Sequence, residues 1–145
     1  MRARPWQLAV VVAACGAAVL AAGRATGPGP GAERTVVVTM HHSRFEPAVV
    51  RVEAGRRVRF VLRNTDPIDH EFILGDAATQ RRHERGRDRH HHGEVPGERS
   101  VPAGQEAATT YAFPAAADGG TLEFACHLPG HYAYGMHGTV RVSGR

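Results

Sequence analysis

The run Thr121-Leu122-Glu123-Phe124-Ala125-Cys126-His127-Leu128-Pro129-Gly130-His131-Tyr132-Ala133-Tyr134-Gly135-Met136, continued by Gly138 to Ser143, decides how the chain is read. Its first six residues alternate: Leu122, Phe124 and Cys126 share one face, and Thr121 and Glu123 share the other. That is the period of a half-buried strand, so Cys126 points inward at the strand's end. Cys, His and Met then follow as C-x4-H-x4-M on a connection holding Pro129 and two glycines. Such residues permit a tight return into a last strand over Gly138 to Ser143.

Outward from this run the same period recurs. Thr35 to Met40 reads as a first strand, and Ala48 to Glu53 as a second that ends in an Ala54-Gly55 turn. In the third, Val58, Phe60 and Leu62 alternate with Arg57, Arg59 and Arg63, and Asn64-Thr65-Asp66-Pro67 closes it. His70 to Leu74 and Ala107 to Phe113 complete the set. In the fourth strand His70 shares a face with Phe72 and Leu74. No helical period of useful length follows the leader, and there is no internal repeat. Gln80 to Glu94 contains no apolar side chain and reads as a polar His/Arg-rich insertion outside the core, with Arg81 to His92 a solvated loop. About seven to eight short strands in roughly 110 residues predict an all-β, antiparallel Greek-key β-sandwich over residues 34–145.

The 145 residues suffice for one domain of ordinary size and exclude a large multidomain enzyme in a single subunit. A 42% apolar fraction is enough for a core. All 18 basic residues are Arg, spread along the chain without a recognition helix or stacking motif, so nucleic acid is not an expected partner. Arg2 and Arg4 precede an apolar run from Leu8 to Ala22, short for a membrane span and suited to a signal peptide. Residues 1–23 are therefore expected to be a signal peptide or membrane anchor, and residues 24–33 a Gly/Pro-rich linker. Val12-Ala13-Ala14-Cys15 also resembles a lipobox, which would make Cys15 a lipid anchor. Each route exports the chain, to the periplasm or beyond, and membrane contact would come only through this N-terminus. Removal of residues 1–23 leaves 16 Arg against 14 acids, and one thiol, Cys126, with no possible internal disulfide. A lone thiol in an oxidising compartment survives best if it is buried or held as thiolate by a metal.

The thiolate of Cys126, the imidazoles of His131 and the distant His70, and the thioether of Met136 make a donor set acceptable to both Cu(I) and Cu(II). With these residues the chain resembles the cupredoxins, the blue type 1 copper proteins. The likeness extends from about Arg34 to Ser143 and includes Phe45-Glu46-Pro47, the Glu53-Ala54-Gly55 turn, the approach from Asn64 to His70, and the Cys126/His131/Met136 loop. It implies one copper held by His70, Cys126, His131 and Met136, with Met136 as a weak axial ligand. It also implies an electron port at His131 within an apolar patch of Leu128, Pro129, Tyr132 and Ala133. Many small blue-copper proteins place Asn directly after the first His, where this chain has Glu71; the hydrogen bonds around the sulfur are the point at issue. The loop also resembles the last copper motif of multicopper oxidases. Ala125 stands where that motif has a His, and the paired His-x-His strands of a trinuclear cluster are missing, so a complete oxidase is not expected.

The remaining histidines invite blander readings. His127 and His137 are expected to face solvent, and Met40, His41 and His42 to be exposed strand-end residues in preference to a second copper site. Arg81 to His92 carries four His and five Arg; a weak second copper site there is opposed by the repulsion of the arginines, which are better placed to dock an acidic redox partner. Asp66, Asp69 and Glu71 cluster near His70 without a nucleophile to serve. The expected protein is a monomeric, exported carrier of single electrons with one copper. The alternative is a copper-binding or resistance protein that stores or delivers the metal to a copper-handling partner.

Overall fold

The computed structural model describes residues 33–86, 95–115 and 120–144. The expected leader, the linker up to residue 32, Cys15 and residues 87–94 of the polar insertion lie outside the described residues. Nine strands and one helix occur among those described: β1 Arg34–His41, β2 Arg44–Glu46, β3 Val49–Glu53, β4 Arg57–Asn64, β5 His70–Gly75, α1 Ala77–Glu84, β6 Glu98–Val101, β7 Glu106–Ala112, β8 Thr121–Ala125 and β9 His137–Ser143.

They form two sheets, ordered β2-β1-β4-β7 and β3-β9-β8-β5-β6. Alternation dictates their inner faces. Val36, Val38 and Met40 of β1 and Val58, Phe60 and Leu62 of β4 are buried from one side, and Val50, Val52, Val140 and Val142 of β3 and β9 from the other. Phe72 and Phe124 stack between them at 5.2 Å, and Phe45 meets Phe124 edge-on at the same centroid distance.

The β-sandwich is as expected, but its pairing is not antiparallel throughout. β1 runs parallel to β4, with Val36 opposite Phe60 and Val38 opposite Leu62. β3 runs parallel to β9, with Val50 opposite Val140. The chain leaves the first sheet through β2, crosses to the second as β3, and returns at Ala54-Gly55, so β4 comes back beside β1 in the same direction.

The expectation of a solvated loop from Arg81 onward is overturned as far as Glu84, where α1 ends. Asp76 caps α1, its carboxylate accepting the Thr79 amide at 2.8 Å. The buried side chains of α1 are polar: Gln80 and His83. Gln80 Nε2 donates to the carbonyls of Ile73 at 3.0 Å and Glu123 at 2.8 Å, clamping the helix across β5 and β8. α1 thereby covers the outer face of β5, which explains why that strand is buried on both sides.

Candidate metal centre

Three donors converge at one end of the sandwich. Cys126 follows the last residue of β8 and is fully buried; His70 opens β5 and is also buried; His131 lies in the β8–β9 loop and is half-buried. His70 Nδ1 is 3.2 Å from His131 Nδ1, and Cys126 Sγ is 3.3 Å from that same nitrogen. One ligating atom from each residue lies within 4.8 Å of the other two. Donors about 2.0–2.3 Å from a shared ion stand close to these separations, so the three fit a metal of thiolate and imidazole preference.

The loop earns its shape from its glycines. Gly130 and Gly135 have φ of 84° and 89°, in the left-handed region that residues with a Cβ avoid. The turns they allow are closed by His131 N–H donating to Leu128 O at 3.0 Å and Gly135 N–H to Tyr132 O at 2.8 Å. Met136 N–H donates to His131 O at 3.0 Å, and Cys126 N–H to Met136 O at 3.1 Å, which seats Met136 beside the cysteine, fully buried.

Around these donors every nearby carboxylate has a structural partner. Asp66 Oδ2 accepts from His70 Nε2 at 2.8 Å, leaving Nδ1 toward the other donors. Glu71, which stands where many small blue-copper proteins have Asn, makes two contacts here: its backbone amide donates toward Cys126 Sγ at 3.5 Å, and its carboxylate accepts the His127 amide at 2.8 Å. Asp69 accepts the Ala103 amide at 2.9 Å. Asn64, buried, shapes the approach by donating to the carbonyls of Ile68, Val101 and Pro102 while its Oδ1 accepts the Asp66 amide.

Burial pushes the Cys126 thiol up to about 11, the Glu71 charge adding to it against two backbone hydrogen bonds. Burial, helped by the neighbouring His70, pushes His131 below its ordinary value, so its ring is neutral at pH 7 and has a lone pair to give.

The other histidines separate from this set. His127 is half-buried rather than solvent-facing. Its ring stacks on Tyr132 at 5.4 Å, and its Nε2 pairs with Gln80 Oε1 at 2.8 Å. His83 is buried on α1, 3.2 Å from a Glu98 carboxylate oxygen. His137, His41 and His42 are exposed as expected, but Met40, grouped with the last two, is fully buried in the core. His90, His91 and His92 lie outside the described residues. Among the described residues no other group of three His, Cys or acidic side chains approaches as closely as His70, Cys126 and His131. The Asp66–His70 and Glu71–His127 contacts at the candidate site had no assigned role in the sequence reading, where the nearness of these carboxylates to His70 was the available signal.

A family model described as a cupredoxin-like domain matches residues 8–142. The chain belongs to the cupredoxin-like family. It is 41% identical over 115 residues to the copper-resistant cuproprotein CopI of Rubrivivax gelatinosus, covering 77% of this chain and 67% of that protein. It is 32% identical over 144 residues to the CopI of Pseudomonas aeruginosa, covering 77% of each. Among solved structures, auracyanin A of Chloroflexus aurantiacus, a blue copper protein, superposes with a TM-score of 0.62 at 21% identity, over 77% of this cupredoxin-like chain and 100% of that one. A reduced auracyanin of Roseiflexus castenholzii gives 0.61 at 21% identity, over 78% and 99%. At that identity the likeness is one of fold. Among the described residues no helix is long and apolar enough to cross a membrane.

Proposed function

We propose that the chain holds one copper ion outside the cytoplasm through His70, Cys126 and His131, with Met136 as a weak fourth donor, and serves in copper resistance. The observation that carries this reading is the convergence of a buried thiol and two imidazole nitrogens within 4.8 Å of one another. Bound copper supplies a one-electron Cu(I)/Cu(II) couple. The residues supply a preset donor geometry, a desolvated sulfur and a loop pinned by Glu71. The relatives named for copper resistance support this use of the site. Exposed His41 and His42 offer additional weak imidazole donors of the kind a storage or delivery protein would use.

The second reading is a carrier of single electrons between redox partners. It is favoured by His131, half-buried on a loop whose Leu128, Pro129, Tyr132 and Ala133 are partly or fully exposed. In either role we infer a monomer whose partner is a redox or copper-handling protein.

Stoichiometry with redox cycling separates the two. One tight copper that exchanges electrons rapidly supports the carrier; a copper that is slow to cycle, alone or with further loosely held ions, supports resistance and storage. Optical and EPR spectra of the copper-loaded protein test the site itself. Cys126→Ala should abolish the intense visible band and most copper affinity, whereas Met136→Leu should keep copper and raise its potential. An unchanged copper spectrum in Cys126→Ala would end the assignment.

A further inference from the structure

Asp66 is buried in the irregular approach to β5, and its carboxylate gathers three donors from two segments. The amides of His42 and Ser43 donate to Oδ1 at 2.7 Å and Oδ2 at 2.8 Å. The ring of His70 approaches Oδ2 through Nε2 at 2.8 Å. His42 and Ser43 are consecutive non-glycine residues with φ of 50° and 51°, a left-handed pair that persists only where the surroundings hold it. The Asp66 amide is itself fixed by Asn64 Oδ1 at 3.0 Å, so the carboxylate is aimed from both sides.

We propose that Asp66 is a positioning residue of the metal centre, holding the His70 proton on Nε2 and turning a bare Nδ1 toward Cys126 and His131, and that it ties this orientation to the left-handed His42-Ser43 turn. An ionised carboxylate only accepts hydrogen bonds, so the shared hydrogen at 2.8 Å belongs to His70 Nε2. In the neutral ring Nδ1 then carries the lone pair, and it is Nδ1 that lies 3.2 Å from His131 Nδ1. The backbone amides of His42 and Ser43 can only donate, one to each carboxylate oxygen, and this arrangement suits the ionised, accept-only form of Asp66. A negative charge on the far side of a ligating imidazole strengthens its donation to the metal and favours the more highly charged ion. This last consequence rests on the copper reading; the tautomer does not.

Long-range proton–nitrogen NMR of the metal-free protein tests the first part. The neutral His70 ring should carry its proton on Nε2; a proton on Nδ1 overturns the proposal. Asp66→Asn then tests the charge in the copper-loaded protein. Its Cu(II) affinity should fall about 10- to 100-fold, and each tenfold loss relative to Cu(I) should raise the midpoint potential by about 59 mV. An unchanged potential in a folded variant overturns the electrostatic part. Should Asp66→Asn fail to fold, the wild-type tautomer alone decides. Should the wild type bind no copper, the copper assignment falls while the tautomer still decides the role of Asp66.

Discussion

The Glu71 carboxylate accepts the amide of His127 at 2.8 Å across 56 residues of sequence, joining the start of β5 to the loop that carries His131. Glu71 is buried, so Glu71→Ala leaves that amide without its acceptor and should cost about 1–3 kcal/mol. Glu71→Gln keeps an acceptor and removes the charge beside the sulfur. It should lose less stability and should lower the Cys126 pKa, because the Glu71 charge is one of the influences raising it. Denaturant melts of the metal-free variants, with ultraviolet titration of the thiolate, separate the two effects. Equal losses in both variants would show that the charge, not the hydrogen bond, matters.

Metal uptake should release the proton of Cys126. Burial pushes this thiol from an ordinary 9.0 up to about 11, so at pH 8 the metal-free protein holds it protonated, whereas a ligating sulfur is a thiolate. Apparent copper affinity should then rise about tenfold per pH unit above neutrality and level off near the thiol's pKa. The metal-free fold behaves in the opposite sense. A pKa raised above its unfolded value gives stability that is complete below pH 9 and declines between 9 and about 11. Calorimetric titration in buffers of different ionisation enthalpy measures the proton count. A count of zero at pH 8 would mean that the sulfur is not the donor.

Gln80 decides whether the start of the polar insertion is structural. Its Nε2 donates to Ile73 O and Glu123 O, and its Oε1 pairs with His127 Nε2. Gln80→Leu, similar in volume, strips partners from all three groups and should cost about 1–3 kcal/mol. It should also accelerate amide exchange in Ala77–Glu84. A melt identical to wild type would restore the solvated-loop reading.

Why that helix was illegible follows from the same residue. A helix announces itself through an apolar stripe, and α1 buries Gln80 and His83 instead. Its Asp76 cap was present in the sequence without a periodic segment to attach it to. β2 and β6 escaped because strands of three and four residues, RFE and ERSV, are too short for alternation to register. The longer strands were legible because Val36, Val38 and Met40, or Val58, Phe60 and Leu62, place every second side chain in the core. The direction of their pairing was not, since alternation is the same in parallel and antiparallel ladders. At the site, the spacing of Cys126, His131 and Met136 announced itself because the loop is short and continuous. The contacts of Asp66 and Glu71 depend on how the irregular segment from Thr65 to Asp69 folds, and no period reports that.

Gly138 sets the tolerance of the strand that leaves the ligand loop. It stands opposite Phe124 in the β8–β9 ladder. A Cβ there would lie 2.3 Å from Phe124 Cζ, 2.4 Å from Cε2 and 2.7 Å from the backbone oxygen of Ala48. Phe124 has nowhere to retreat, being fully buried with Phe45 and Phe72 each 5.2 Å away. Gly138→Ala should therefore destabilise the metal-free protein by about 1–3 kcal/mol or more through overpacking. Phe124→Leu alone should also destabilise, by opening a cavity. Combined, the two should cost less than the sum of their separate effects, because the smaller side chain removes the ring atoms that the new methyl meets. A double-mutant cycle by chemical denaturation measures the coupling. Strict additivity would shift the blame to the Ala48 carbonyl, which no change at position 124 relieves.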